Sequence, residues 1–116
     1  MQVLDIVTFQ DAATATGYGT AHAVGSANQV AIYVTRTGDA STSTVNFAGK
    51  DVDGNWYAVY ATLQVDGSKA TSTEGKDECW IIDTTPWVEI RTGISAISEG
   101  EDDSVTVKGR FVNTAA

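Results

Sequence analysis

Three side chains in one short segment have the spacing with which proteins begin a calcium-binding loop. Asp51, Asp53 and Asn55 alternate along the chain, and carboxylate and amide oxygens are ligands that Ca²⁺ prefers. An EF-hand loop also requires glycine at its sixth position and a bidentate glutamate at its twelfth, but Trp56 and Thr62 stand there. The segment is therefore predicted to form a turn between two strands and not a metal site.

A second group of carboxylates occupies residues 99–103 and comprises Glu99, Glu101, Asp102 and Asp103. Their oxygens could gather a hard cation. A short run of like charges is more often a solvated turn, and it also discourages pairing at a neighbouring strand edge. We expect the solvated turn and no bound metal.

Nucleophilic catalysis would need a thiol or hydroxyl beside the single histidine, His22. Cys79 begins the apolar run Cys-Trp-Ile-Ile, which is typical of a small buried hydrophobic residue, and no nucleophile motif accompanies His22. Residues 17–20, Gly-Tyr-Gly-Thr, lack the lysine of a phosphate-binding loop and predict a bend where backbone crosses backbone. We therefore expect no catalytic, cofactor-binding or metal-binding residues and no enzymatic activity.

The composition limits the classes of partner that the protein is expected to bind. Net charge is −8, and the seven basic residues are scattered, whereas nucleic-acid binding requires clustered lysine and arginine. Direct contact with nucleic acid or a membrane is not expected. The start of the chain, Met-Gln-Val-Leu-Asp, has no signal-peptide pattern, so the expectation is production in the host cytoplasm.

Short runs of alternating apolar residues, separated by glycine-containing turns, predict an all-β protein. Residues 29–35 and 44–49 alternate, as do residues 105–112, and no stretch sustains a helical period. Residues 56–65 are predicted to form the longest strand, and residues 70–77 a mobile polar loop. The 116 residues predict a single domain, an antiparallel β-sandwich or jelly roll of about 7–8 strands. The predicted core comprises Val30, Ile32, Val34, Phe47, Val59, Leu63, Ile81, Val88, Ile90, Val107 and Phe111.

Two parts of the sequence resemble segments of small bacteriophage structural proteins. Residues 45–56 read VNFAGKDVDGNW, which is similar to the phrase VTFEGSxDGxNW of those proteins. Residues 91–96 and 104–109, RTGISA and SVTVKG, resemble their ending, VRARVSAYxSGSVTVxG. The resemblance extends from about residue 14 to residue 112, although the turn after Gly49 and the acidic residues 99–103 depart from it. It implies a β-sandwich virion protein of the head or tail.

Within a virion, this resemblance and the acidic composition favour a capsid decoration protein on the outer surface of the head. Such a protein would bind the major capsid protein in many copies and stabilise the assembled shell by mass action, and we also expect it to form homo-oligomers. The alternative is a tail or fibre component that binds carbohydrate on the host surface. The three tryptophans could form a sugar-stacking platform, although large aromatic residues more often fill cores and protein interfaces.

Residues 1–27 are the candidate for an extended N-terminal arm, because they are rich in small residues and poorly patterned after residue 9. An arm of this kind could add a strand to a partner's sheet. Trp87 is a candidate anchor because it follows Pro86 directly, but it could equally cap the end of the sandwich. The candidate interface residues are Trp87, Val3, Leu4, Ile6 and Phe9.

Overall fold

The computed structural model describes residues 1–38, 43–97 and 104–115. Their regular structure consists of strands, with no helix among them that could cross a membrane. The strands are β1 (Gln2–Ala13), β2 (Gly17–Tyr18), β3 (His22–Ala23), β4 (Gln29–Thr37), β5 (Thr44–Lys50), β6 (Trp56–Ala58), β7 (Ala61–Leu63), β8 (Lys69–Ala70), β9 (Ser72–Thr73), β10 (Glu78–Asp83), β11 (Glu89–Ala96) and β12 (Ser104–Asn113).

The strands form two antiparallel sheets that pack face to face. Sheet A has the order β1-β12-β4-β10-β7-β8, and sheet B has the order β2-β11-β5-β6. Two short strands complete sheet B, since β3 pairs with β11 and β9 pairs with β5. The predicted antiparallel β-sandwich is therefore confirmed.

Along each long strand, every second side chain points into the space between the sheets. In β4 the buried apolar positions are Val30, Ile32 and Val34, and in β5 they include Val45 and Phe47. Because successive side chains of a strand point to opposite faces, this alternation alone places these residues inside. The buried core also contains Val7, Phe9, Val24, Ala27, Val59, Ala61, Trp80, Ile82, Ile90, Ile94, Val105, Val107 and Phe111.

Two residues of the predicted core lie elsewhere. Ile81 is only half-buried, because β10 directs Trp80 and Ile82 inward and Ile81 to the outer face of sheet A. The run is apolar on both faces, so alternation could not decide which face is inside. Val88 is 40% exposed because it precedes β11 at the end of the sandwich. Leu63 packs against the core but is only partly buried.

The predicted long strand at residues 56–65 is wrong, because the chain crosses from one sheet to the other there. β6 pairs with β5 in sheet B, whereas β7 pairs with β10 and β8 in sheet A. At the crossing, Val59 donates its backbone N–H to the carbonyl oxygen of Phe47 at 3.0 Å and is buried. Residues 56–65 are apolar on both faces. This pattern is compatible with a crossing between the sheets as well as with one central strand, so it could not distinguish the two.

Residues 1–27 do not project from the sandwich. β1 pairs with β12 from Gln2 to Ala13, and the short strands β2 and β3 pair with β11. Phe9 anchors β1, since its ring packs 6.3 Å from that of Phe111, centroid to centroid. A Cβ on Gly109 would lie 2.4 Å from the Phe9 ring, so glycine is needed there to admit the ring.

The predicted turn after β5 is confirmed and is organised by an aspartate. Oδ1 of Asp51 accepts the backbone N–H groups of Asp53 and Asn55, both at 2.9 Å. Gly54 has a φ of 88°, which glycine adopts without steric cost. Asp66 and Asp83 organise two further turns by accepting backbone N–H groups two residues later. These backbone hydrogen bonds lower the pKa of all three carboxyls.

The lowered pKa values predict a loss of stability in acid. A carboxyl whose pKa is lowered by folding stabilises the protein above its unfolded-state pKa of about 3.9, and this stabilisation disappears as the pH falls through the folded-state value. We expect a variant with Asp51→Asn, Asp66→Asn and Asp83→Asn to show a smaller drop in melting temperature below pH 4 than the natural chain. The charge-matched control replaces the exposed Asp5, Asp11 and Asp77 by asparagine. Equal acid sensitivity of the natural chain and the turn variant would contradict this assignment.

Candidate binding surfaces

The outer face of sheet B carries an aromatic and basic cluster from four neighbouring strands. Alternation sends Asn46 and Ala48 of β5 and Arg91 of β11 outward, because Phe47 and Thr92 point into the core. The pairings Gly93–Tyr18 and Lys50–Trp56 add one aromatic residue on each side of this face. We call Tyr18, Asn46, Trp56 and Arg91 the sheet-B cluster.

Arg91 lies between the two aromatic rings of the sheet-B cluster. Its guanidinium carbon is 3.7 Å from the ring centroid of Tyr18 and 4.0 Å from that of Trp56. These distances are those of cation–π contacts, in which the negative face of each ring attracts the cation. The Nε atom of Arg91 is buried and has no hydrogen-bond partner within the described ranges.

Charged neighbours of the sheet-B cluster neutralise each other. Lys50 and Glu89 form a salt bridge between β5 and β11, and Nζ of Lys50 also lies 5.9 Å from the Trp56 ring centroid. No ion pair between Arg91 and another described residue accompanies this bridge. Among the described residues of this face, Arg91 therefore contributes a positive charge that no ion pair compensates.

Trp87, predicted as a candidate anchor, caps one end of the sandwich and is half-buried. Its ring centroid lies 6.0 Å from that of Tyr57, and it packs directly on Gly49, where an added Cβ would come within 2.5 Å of the indole. The ring thus occupies a position that only glycine leaves open. This geometry agrees with the capping alternative and leaves the exposed part of the ring beside Tyr57.

The start of β1 presents a free strand edge. β12 is the only strand among the described ones that pairs with β1. The edge is covered from Thr8 onward, since His22 lies 3.0 Å from the Thr8 carbonyl and Thr20 donates to the Phe9 carbonyl at 3.2 Å. The uncovered part, which we call the β1 edge, is residues 2–7, where Ile6 is 71% and Val3 40% exposed.

Two of the candidate interface residues on β1 are less accessible than predicted. Phe9 is 2% exposed, with its ring 5.2 Å from the His22 ring, centroid to centroid, so it belongs to the core and is not available to a partner. Leu4 is partly buried against the core. The bulge in the register between Val3 and Asp5 turns neighbouring residues to different sides, which a simple alternation does not reveal.

The structure separates the residues considered for catalysis and metal binding. Cys79 lies on the outer face of sheet A, where burial raises the pKa of its thiol, whereas His22 lies in sheet B. The described ranges contain no group of three histidine, cysteine, aspartate or glutamate residues that could hold a metal ion. The acidic residues 99–103 fall outside the described ranges. The bend at residues 17–20 is confirmed as a close backbone approach, since a Cβ on Gly19 would lie 1.9 Å from the Phe9 carbonyl oxygen.

Sequence reasoning did not find the sheet-B cluster. Tyr18 belonged to a segment predicted as an irregular arm, and Arg91 was only one of several scattered basic residues. Their contact depends on the pairing of β2 and β5 with opposite edges of β11. One sequence signal was available, because Gly93 follows Arg91 by two residues on the same face and leaves room for the Tyr18 ring.

Comparison with known proteins identifies the relatives of this sandwich. The XepA family model matches residues 3–111. The chain belongs to the XepA family. This membership confirms, in its coarser form, the predicted relationship to phage proteins, since the solved structures similar to this chain are of phage-derived proteins.

Solved structures and a curated relative agree with the XepA assignment. The PBSX exported protein XepA superposes with a TM-score of 0.84 at 30% identity over 92% of this chain and 37% of XepA. The SPBc2 prophage-derived protein YomS superposes with a TM-score of 0.83 at 24% identity, over 94% of this chain and 92% of YomS. The uncharacterized protein YqxG of Bacillus subtilis (strain 168) is 35% identical over 112 residues, which are 97% of this chain and 36% of YqxG. The chain thus spans little more than a third of XepA and of YqxG.

Proposed function

We propose that this member of the XepA family is a non-enzymatic phage particle protein that binds the major capsid protein and stabilises the assembled head. The observation that supports this proposal best is the β1 edge. It offers unpaired backbone groups together with exposed apolar side chains at Val3 and Ile6. An edge of this kind can pair with an extended segment of another chain, whose backbone supplies affinity while alternate side chains supply specificity.

Attachment at the β1 edge would leave most of the molecule free. The β1 edge is at one border of sheet A, and the net charge of −8 keeps the remaining surface well solvated. Many weakly bound copies on one shell would then reinforce it, because a ligand that binds only the assembled state stabilises that state.

Thermal stability of the particle tests the decoration role. We expect heads lacking the protein to release their DNA at a lower temperature than complete heads, and added purified protein should restore the difference. Ile6→Lys should weaken binding to the depleted heads more than tenfold, since burying an unpaired charge is costly. Val65→Lys is the matched control, because Val65 is 85% exposed and lies between β7 and β8, at the border of sheet A opposite to β1. Equal stability of heads with and without the protein would contradict the proposal.

The second candidate is a tail or fibre component that binds carbohydrate on the host surface. Exposed rings at Tyr18 and Tyr57, with Asn46 beside the first of them, favour it. The description of XepA as an exported protein is in keeping with action at a cell surface. Labelling purified particles with an antibody separates the candidates: label on the head supports decoration, label at the tail tip supports host binding, and unlabelled particles contradict both.

A further inference from the structure

The sheet-B cluster borders two shallow depressions that lie next to each other. One has a volume of about 260 Å³ and is lined by Asn46, Trp56 and Arg91 among others. The other, of about 270 Å³, is lined by Gly17, Asn46 and Gly93 among others, and Tyr18 borders both. Small residues form much of the floor, so a ligand could approach the strand backbone closely.

The Tyr18 ring forms a platform at the boundary of the two depressions. It lies over Gly93, where an added Cβ would be 3.0 Å from the ring, and it contacts the Arg91 guanidinium. Tyr18 is nevertheless 71% exposed, so much of its ring surface faces solvent. An exposed aromatic face attracts the weakly positive C–H groups of a flat apolar surface such as one side of a pyranose ring.

The positive charge of Arg91 indicates which ligands could stack on the Tyr18 ring. Arg91 has no ion pair within the described ranges, and the nearby Lys50 and Glu89 neutralise each other. A guanidinium held in a fixed plane matches a carboxylate in bidentate geometry. The basic residues are too scattered for a long polyanion, and the net charge of −8 repels one, so a short ligand with a single carboxylate fits better.

We propose that the sheet-B cluster binds a carboxylate-bearing sugar, a uronic acid within a short saccharide. Arg91 pairs with the carboxylate, the Tyr18 ring supports the pyranose, and the amide of Asn46 is positioned between the two depressions to bond hydroxyl groups. The inference deepens the second candidate function by giving it a site and a ligand class. It does not depend on the decoration role, since the β1 edge belongs to the other sheet.

Titration of the purified chain tests this site directly. The probes are cellobiouronic acid, its neutral counterpart cellobiose, and sodium acetate, each followed by nuclear magnetic resonance of the Trp56 indole and Arg91 side-chain signals. We expect saturable shifts with cellobiouronic acid, and binding at least tenfold weaker for cellobiose and for acetate. Tyr18→Ala and Arg91→Gln should each weaken the binding of cellobiouronic acid about tenfold or more.

Two matched controls and a melting temperature separate loss of the site from general effects of the substitutions. Tyr60→Ala removes another tyrosine of similar exposure, and Lys108→Gln removes a positive charge from sheet A; both should bind like the natural chain. Because Tyr18 is exposed, Tyr18→Ala should retain its melting temperature even if Arg91→Gln does not. Equal binding of cellobiouronic acid and cellobiose, of the acid and acetate, or by the natural chain and Tyr18→Ala would overturn the proposal. The location of the protein on the particle is decided separately by antibody labelling, so failure of the site and failure of the proposed function are distinguishable.

Discussion

Phe47→Ala is expected to lower the free energy of unfolding by about 3–5 kcal/mol, as truncation of a fully buried phenylalanine generally does. Phe47 is 1% exposed, and its ring packs against Trp80 with 5.5 Å between centroids. Because β5 lies in sheet B and β10 in sheet A, this contact joins the two sheets across the core. Alanine would remove the contact and leave a cavity that neighbouring strands cannot close.

Urea unfolding measures this loss, with Val52→Ala as the control. Val52 is 83% exposed in the turn after β5, so its truncation should change the free energy of unfolding by less than about 0.5 kcal/mol. The backbone N–H of residue 47 can still donate to the Thr71 carbonyl in the variant, because the alanine retains it. A loss below about 1 kcal/mol for Phe47→Ala would show that this ring is not a central part of the core.

Arg36→Met is expected to lower the free energy of unfolding by about 3 kcal/mol or more, because buried acceptors that lose their donor cost about 1–3 kcal/mol each. Arg36 is 5% exposed and lies at an inward position of β4. Its guanidinium donates to the carbonyl oxygens of Gly75 and Thr73 and to Oγ of Ser43. Burial lowers the pKa of Arg36, and the nearby Glu78 and Glu74 act in the opposite direction.

The effect of Arg36→Met should spread to the loop before β10. Oε1 of Glu78 accepts hydrogen bonds from Oγ1 of Thr73 and from Nε1 of Trp80, so the arginine, β9 and the start of β10 form one network. Thermal unfolding should show Arg36→Lys between Met and the natural chain, because lysine keeps the charge but not the planar fork of donors. Lys108→Met on the exposed face of β12 is the control. A melting temperature of Arg36→Met equal to that of Lys108→Met would contradict this role.

The sequence predicted the buried position of Phe47 but not that of Arg36. Phe47 was predicted correctly because its neighbours alternate, and the alternation of a strand is a local property. Arg36 was counted only among the seven scattered basic residues, although it continues the inward series Val30, Ile32 and Val34. A charge is costly to bury unless partners are present, and its partners Gly75 and Thr73 are distant in sequence, within residues predicted as a mobile loop.

The β1 segment illustrates a different difficulty. Its residues were predicted as part of an extended arm, but deleting the segment would remove Val7 and Phe9 from the core. For this reason the binding test uses the point substitution Ile6→Lys. The φ of 46° at Ala12 and the register shifts near Gln10 mark the place where the alternation of β1 breaks down.

The sequence by itself determined the all-β class, the turn at residues 51–55 and most of the core, because side-chain alternation and turn chemistry act within a few residues. The tertiary structure decided the strand order, the crossing after Ala58 and the inward face of β10. It also brought Tyr18, Trp56 and Arg91 into contact. Such contacts arise between neighbouring strands of a sheet, and neither local spacing nor residue type specifies which strands become neighbours.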